Sequence, residues 1–159
     1  VFNHRSLSVK SIPRTLCGLV LAACTFAAVA GSSREDAVAQ VNAAVAQIKK
    51  IGIEKAVEEF NADDRWKTGG MTVLVIDEKG VVHASSINAK LRGKTTLELK
   101  DPNGKEFAKE AMTIAATKGE GWVEFQFLNP ESRKVVDRVM FVKKPPIGGG
   151  FVAVAMDKP

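Results

Sequence analysis

The chain has no tyrosine, only two cysteines and two histidines, and aromatic residues make up 6% of it. Each scarcity removes a class of chemistry. Both cysteines, Cys17 and Cys24, lie in the N-terminal segment, so a chain processed after residue 30 carries no disulfide, thiol nucleophile or cysteine metal site. One histidine, His83, then remains, and structural zinc sites draw several ligands from Cys and His; no metal site and no cofactor is expected. His83 also lacks a Ser, Cys or carboxylate at a recognised catalytic spacing, so it reads as an ordinary sheet residue and no enzyme activity is expected. Asp63-Asp64 lacks the alternating oxygen ligands of a calcium loop, and Gly148-Gly149-Gly150 lacks the Lys-Ser or Lys-Thr of a phosphate cradle.

What is present begins with an export signal. Arg5, Lys10 and Arg14 precede an apolar run from Leu16 to Ala30, and Ala28-Val29-Ala30 supplies the small residues that a signal peptidase reads. A membrane anchor would need roughly 20 apolar residues, more than this run contains. Residues 1–30 are therefore expected to be a signal peptide and residues 31–159 one exported domain, periplasmic or secreted. Leu21-Ala22-Ala23-Cys24 offers a second route, a lipobox in which Cys24 carries the lipid anchor. Without the three leading cations, 20 of the 23 basic residues remain against 18 acidic ones. That near balance shows no basic footprint, and no nucleic-acid partner is expected.

Along the exported chain, Ser33 and Asp36 resemble a capping box, and Val38, Val41, Val45 and Ile48 repeat at helical spacing. Gly52 interrupts that helix, and Glu54 to Phe60 continues it with Val57 and Phe60 inward. Met71–Ile76 and Val81–Ser85, joined by Asp77-Glu78-Lys79-Gly80, read as a hairpin. A long connection follows, with turn signals at Gly93 and Asp101-Pro102-Asn103-Gly104. Phe107–Lys118 is a second helix with Phe107, Ala111, Ile114 and Ala115 on one face. Trp122–Phe127, Val135–Lys143 and Phe151–Met156 are strands with short connections, which favour antiparallel neighbours. The expected fold class is α+β, with about five antiparallel strands, a leading N-terminal helix and a flanking helix.

The order of several weak motifs is informative. Gly52 with Ala56 and Phe60-Asn61, Val75-Ile76-Asp77 with Gly80, Leu91 with Gly93-Lys94, Leu99-Lys100-Asp101 with Asn103-Gly104, Gly119-Glu120-Gly121-Trp122, Asn129-Pro130 and Val142-Lys143 follow one another along the chain. In that order they resemble the single Cache family, extracytoplasmic ligand-sensing modules of bacterial receptors. The resemblance implies a PAS-like antiparallel sheet with a small-molecule pocket on one face, often for short carboxylates. Ser85-Ser86 stands where the family tends to have His-Pro, and Phe125 and Phe141 where it tends to have Tyr. Losing those polar groups implies a more apolar pocket.

Arg138 replaces a usual Lys of the family and is the candidate anchor for a carboxylate; the alternative is an ion pair with Glu124 or with Asp137 of a neighbouring molecule. Phe125, Phe127, Phe141, Ser85 and Trp66 complete the expected ligand-binding set, with Trp66 at a pocket rim, and Lys143 reads as a strand-end surface residue. The aromatic residues are equally consistent with plain core in an interaction module that binds no small molecule. Receptors of the family continue past the last strand into a membrane helix, whereas this sequence ends at Pro159. A separate membrane sensor or transporter is therefore the expected partner beside a small organic ligand.

The processing expectation is tested by intact mass of the exported protein. A chain beginning after Ala30 is expected, a diacylglyceryl mass at Cys24 selects the lipid-anchored route, and a mature chain that retains Leu16 contradicts both.

Overall fold

A computed structural model describes residues 32–129 and 132–158. The expected signal segment and lipobox lie outside the described residues. Helix α1 (Arg34–Ile51) starts at the capping box: the Asp36 amide donates to Ser33 Oγ at 3.1 Å, and the Ser33 amide donates back to the Asp36 carboxylate at 2.9 Å. These bonds occupy donors that a helix start otherwise leaves free. Gly52, at φ +86°, ends α1 and directs the chain straight into α2 (Ile53–Ala62). Ala37, Val41, Ala44, Val45 and Ile48 of α1 and Ala56 and Phe60 of α2 are buried. Val38 and Val57, expected inward, are half-buried at the margins of this stripe.

Two single-turn 3₁₀ helices, Asp64–Trp66 and Thr68–Gly70, lead into β1 (Thr72–Ile76). Asp77 Oδ1 accepts the amides of Lys79 and Val81, and Gly80 adopts φ +78°, which turns the chain into β2 (Val82–Ser85). The connection to α3 (Phe107–Thr117) contains one 3₁₀ turn, Ala89–Leu91. The strands β3 (Glu120–Leu128), β4 (Val135–Lys143) and β5 (Phe151–Asp157) complete a five-stranded sheet in the order β2-β1-β5-β4-β3. Every neighbouring pair is antiparallel, as the short connections require. β5 sits between β1 and β4 and is buried from Phe151 to Met156, the pattern of a strand covered on both faces.

Alternation along the strands divides the core in two. Val73, Val75, Val139, Phe141, Val152, Val154 and Met156 face α1 and α2, together with Phe60, Trp66 and Met71. Ile76, Val82, Val123, Phe125, Met140, Phe151, Ala153 and Ala155 face the opposite way, toward α3. Each fully buried valine or phenylalanine contributes about 1.5–3 kcal/mol. The inner face of α3 differs from expectation: Ala108, Ala111 and Ala115 are buried, whereas Phe107 and Ile114 are half-buried. Gly121 of β3 makes room for one of these longer side chains, since a Cβ there would stand 2.8 Å from Ile114 Cγ2.

The glycine run before β5 is more than a hairpin tip. A Cβ on Gly150, at φ +90°, would lie 2.0 Å from the Ile76 carbonyl oxygen, so this residue seats the β4–β5 connection against the end of β1. Gly148 also has positive φ but nothing within 4 Å of its Cβ position. Gly148→Ala should cost only the conformational strain, about 1–2 kcal/mol. Gly150→Ala adds a clash with rigid backbone and should lower the urea midpoint clearly further; equal losses in the two variants would contradict this packing.

Candidate functional site

Cross-strand register places Phe125, Arg138 and Asp157 in one row on the face toward α3. The Arg138 guanidinium lies 5.6 Å from the Phe127 ring centroid, and its Nη2 donates to the Ala155 carbonyl at 3.4 Å. Its Nε stands 3.0 Å from the Asp157 carboxylate, yet no acceptor lies in line with that N–H. The Arg138 side chain is 15% exposed, whereas that of Asp157 is 76% exposed. Burial lowers the Arg138 pKa from its ordinary value, and Asp157 restores part of it. The cation is thus desolvated by the sheet and only loosely neutralised. Phe107 stacks on Phe125 at 4.6 Å and 16°, so an aromatic wall adjoins the guanidinium.

The six residues expected to bind ligand do not form one site. Arg138, Phe125 and Phe127 come together as expected. Ser85 shares their face but pairs with Leu74 on the far side of β5. It stands three strands across and four residues along from Arg138, roughly 19 Å at the usual strand spacing and rise. Its Oγ accepts the Asn88 amide at 3.3 Å, which fixes the start of the long connection. Phe141 is three residues from Arg138 on the same strand, and an odd spacing turns it to the opposite face. There it packs against Trp122 with centroids 5.1 Å apart. Trp66 also belongs to the helix-covered side, edge-on to Phe60 at 4.6 Å.

The remaining polar candidates have structural partners. Lys143 pairs with Glu120 at 2.7 Å and donates to Asn42 at 2.8 Å. His83 Nε2 lies 2.9 Å from the Asp77 carboxylate, a neighbour that the hairpin supplies and that its sequence spacing does not announce. Glu124, an alternative partner for Arg138, instead pairs with Arg34 and Lys158, each at 2.8 Å. Among the described residues, no group of three or more His, Cys, Asp or Glu side chains could hold a metal ion.

Three contributors escaped the sequence: Asp157, Phe107 and Asp101. Asp101 is buried and accepts the amides of Asn103 at 2.8 Å, Lys105 at 2.9 Å and Gln126 at 3.1 Å. Gln126 lies on β3, the outer strand, and Lys105 Nζ donates to the carbonyl of Glu124 beside it. Segment 101–105 is therefore tied along the free edge of β3, where it also delivers Phe107 onto Phe125. The turn signal was visible in Asp101-Pro102-Asn103-Gly104, but the Gln126 contact spans 25 positions.

Burial opposes ionisation of Asp101, but the three amide donors outweigh it and hold the carboxyl below its ordinary value of 3.8. A lowered folded pKa means that the contribution is complete above the unfolded value and lost as pH falls through the folded one. Stability should therefore drop on acidification below about pH 4. Asp101→Asn should be less stable near neutrality and show a shallower acid loss in urea titrations; parallel pH profiles would contradict the clamp.

Comparison with known proteins follows the same outline. A family model described as Single Cache domain 2 matches residues 27–147. The chain is similar in structure to a periplasmic sensor domain of a chemotaxis protein, with TM-score 0.61 and 23% identity over 79% of this chain and 90% of that one. It is similar to a methyl-accepting chemotaxis protein from Vibrio parahaemolyticus, with TM-score 0.60 and 19% identity over 77% and 86% of the two chains. A Cache chemosensory domain described as recognising carboxylic acids gives TM-score 0.63 and 18% identity over 79% and 92%. No curated protein matches the sequence.

Proposed function

Because the chain belongs to the single Cache domain 2 family, we propose that it is an exported sensor domain that binds a short carboxylate noncovalently on the α3 face and acts with a membrane signalling partner. One observation carries the ligand assignment: the desolvated Arg138 guanidinium, walled by Phe125 and Phe127, is neutralised among the described residues only by the exposed carboxylate of Asp157. The Asp157 side chain stands where a ligand carboxylate would bind. Asp157 holds the pair from the exposed side, 76% open to water, so a free carboxylate that also buries apolar surface against the phenylalanines can displace it. Recognition of carboxylic acids by a similarly folded Cache domain agrees with this chemistry.

The role is binding rather than catalysis. The expected location is outside the cytoplasmic membrane, periplasmic or secreted, with lipid anchorage if Cys24 is the processed residue. Among the described residues, no helix is long and apolar enough to cross a membrane. Entry of a ligand requires Phe107 and the 101–105 segment to shift, because Phe107 now covers Phe125. That shift is the change a partner would detect.

A panel of short carboxylates screened by thermal stability tests the reading. A specific acid at a hundred times its dissociation constant should add about 2.7 kcal/mol. Arg138→Ala should then weaken binding by about 1.5–3 kcal/mol, the size of a hydrogen bond to a charged group. Asp157→Asn should strengthen it by up to about 1 kcal/mol, because the competing carboxylate is gone. Unchanged calorimetric affinity in both variants removes Arg138 from the site, and a panel without any stabilising acid favours the interaction-module reading.

A further inference from the structure

Three distant parts of the chain meet on two residues of β3. Phe125 turns its ring toward α3, so Glu124 and Gln126 direct their side chains to the opposite face of the sheet and their backbone groups to its free edge. On that edge segment 101–105 holds both: the Gln126 amide donates to the Asp101 carboxylate at 3.1 Å, and Lys105 Nζ donates to the Glu124 carbonyl at 2.6 Å. On the opposite face the Glu124 carboxylate accepts from Arg34 Nη2 and from Lys158 Nζ, each at 2.8 Å. Arg34 is the first residue of α1, and Lys158 follows the last residue of β5. The Gln126 side chain adds a parallel link, since its Nε2 donates to the Asp137 carboxylate at 3.1 Å and the Asp137 carbonyl accepts the Lys158 amide at 2.9 Å.

The start of α1 and the exit from β5 are thus joined through one carboxylate, on the residue whose carbonyl fastens the cover of the ligand face. The side chains of Glu124, Arg34 and Lys158 are 49%, 40% and 44% exposed, and ion pairs so open to water are individually weak. A small displacement of the β3 edge therefore suffices to shift their balance. Arg34 also has a second resting place, because its guanidinium lies 4.7 Å from the centroid of the Trp122 ring.

We propose that Glu124 is the relay of the domain: with segment 101–105 docked it holds the start of α1 and the exit from β5 together, and when the segment lifts it releases them. A carboxylate at Arg138 is the trigger, and to that extent the relay rests on the reading of the α3 face given above. The coupling between cover and chain ends does not need the ligand. It is also mutual, since a cover that controls Arg34 and Lys158 is controlled by them in equal measure. A membrane partner then reads how firmly two segments are held to each other, with the backbone of α1 undisturbed.

Glu124→Gln removes the charge that Arg34 and Lys158 share and leaves in place the carbonyl that Lys105 holds. In the ligand-free protein, exchange of the Gln126 amide should then become at least threefold faster. The Phe125 amide, which points into the β3–β4 ladder, should keep its rate. Arg34→Gln combined with Lys158→Met leaves β3 unaltered and should accelerate Gln126 in the same way, so the outcome does not depend on Glu124→Gln folding. In the other direction, Lys105→Met should shift the Arg34 Nε–H signal in a ¹H–¹⁵N spectrum, and should no longer do so when made in Glu124→Gln. An unchanged Gln126 rate overturns the proposal, as does equal acceleration of Gln126 and Phe125, the mark of a strand merely loosened, or an Arg34 signal indifferent to Lys105→Met. Added propionate should move the Arg34 signal saturably in the unaltered protein but not in Glu124→Gln, which should bind propionate with unchanged affinity. Propionate that binds without moving Arg34 overturns the relay and leaves the Arg138 site standing. Absence of propionate binding counts against the carboxylate reading alone, and the ligand-free measurements still decide the relay.

Discussion

The pairing of β5 between β1 and β4 is the constraint on which the rest of the structure depends. It joins residues 72–76 to 151–157, the most distant strands in the sequence, and completes both cores at once. Val152, Val154 and Met156 fill the layer under α1 and α2, while Phe151, Ala153 and Ala155 form the floor facing α3. Its register also brings Asp157 beside Arg138. Closing so long a loop is entropically costly and is repaid only when strand pairing and burial on both faces arrive together. Gly150, pressed against the Ile76 carbonyl, marks where the chain enters that position.

The two faces of this one sheet differ in what they offer. The helix-covered face is large and apolar, with Phe60, Trp66 and Phe141 packed against valines, and it behaves as a stable base. The α3 face combines small residues at Ala153 and Ala155 with a desolvated cation and a cover held by hydrogen bonds rather than by deep burial. Asp101 and Lys105 fasten that cover to the β3 edge, and Phe107 is its contact with the aromatic wall. Hydrogen-bonded, half-buried segments open at lower free energy than a packed helix pair. The proposed ligand site accordingly lies on the α3 face, the one whose cover opens more readily.

Most elements were legible because each carries its own local chemistry. The capping box at Ser33 and Asp36, the break at Gly52, the Asp77–Gly80 turn and the limits of β4 depend on neighbours close in sequence, and they formed where expected. The five-stranded antiparallel α+β class followed from the same signals. The odd spacing of Phe141 from Arg138 was also legible, and it already set the two on opposite faces. No local signal placed Trp66 on the helix side or Ser85 three strands away, because strand order is a long-range property. Asp157 could be matched to Arg138 only through the β4–β5 register, and Phe107 to Phe125 only through the approach of α3 over Gly121.

The central claim, that ligand sensing resides on the α3 face and moves its cover, is tested most directly by hydrogen exchange. Backbone amides are compared with and without the short carboxylate that stabilises the protein most. The account predicts changed protection in residues 101–107 and along β3 and the end of β5, with α1 and α2 unaffected. Protection confined to α1, α2 or the 3₁₀ turns between them and β1, with no change at Gln126 or Phe107, would contradict it.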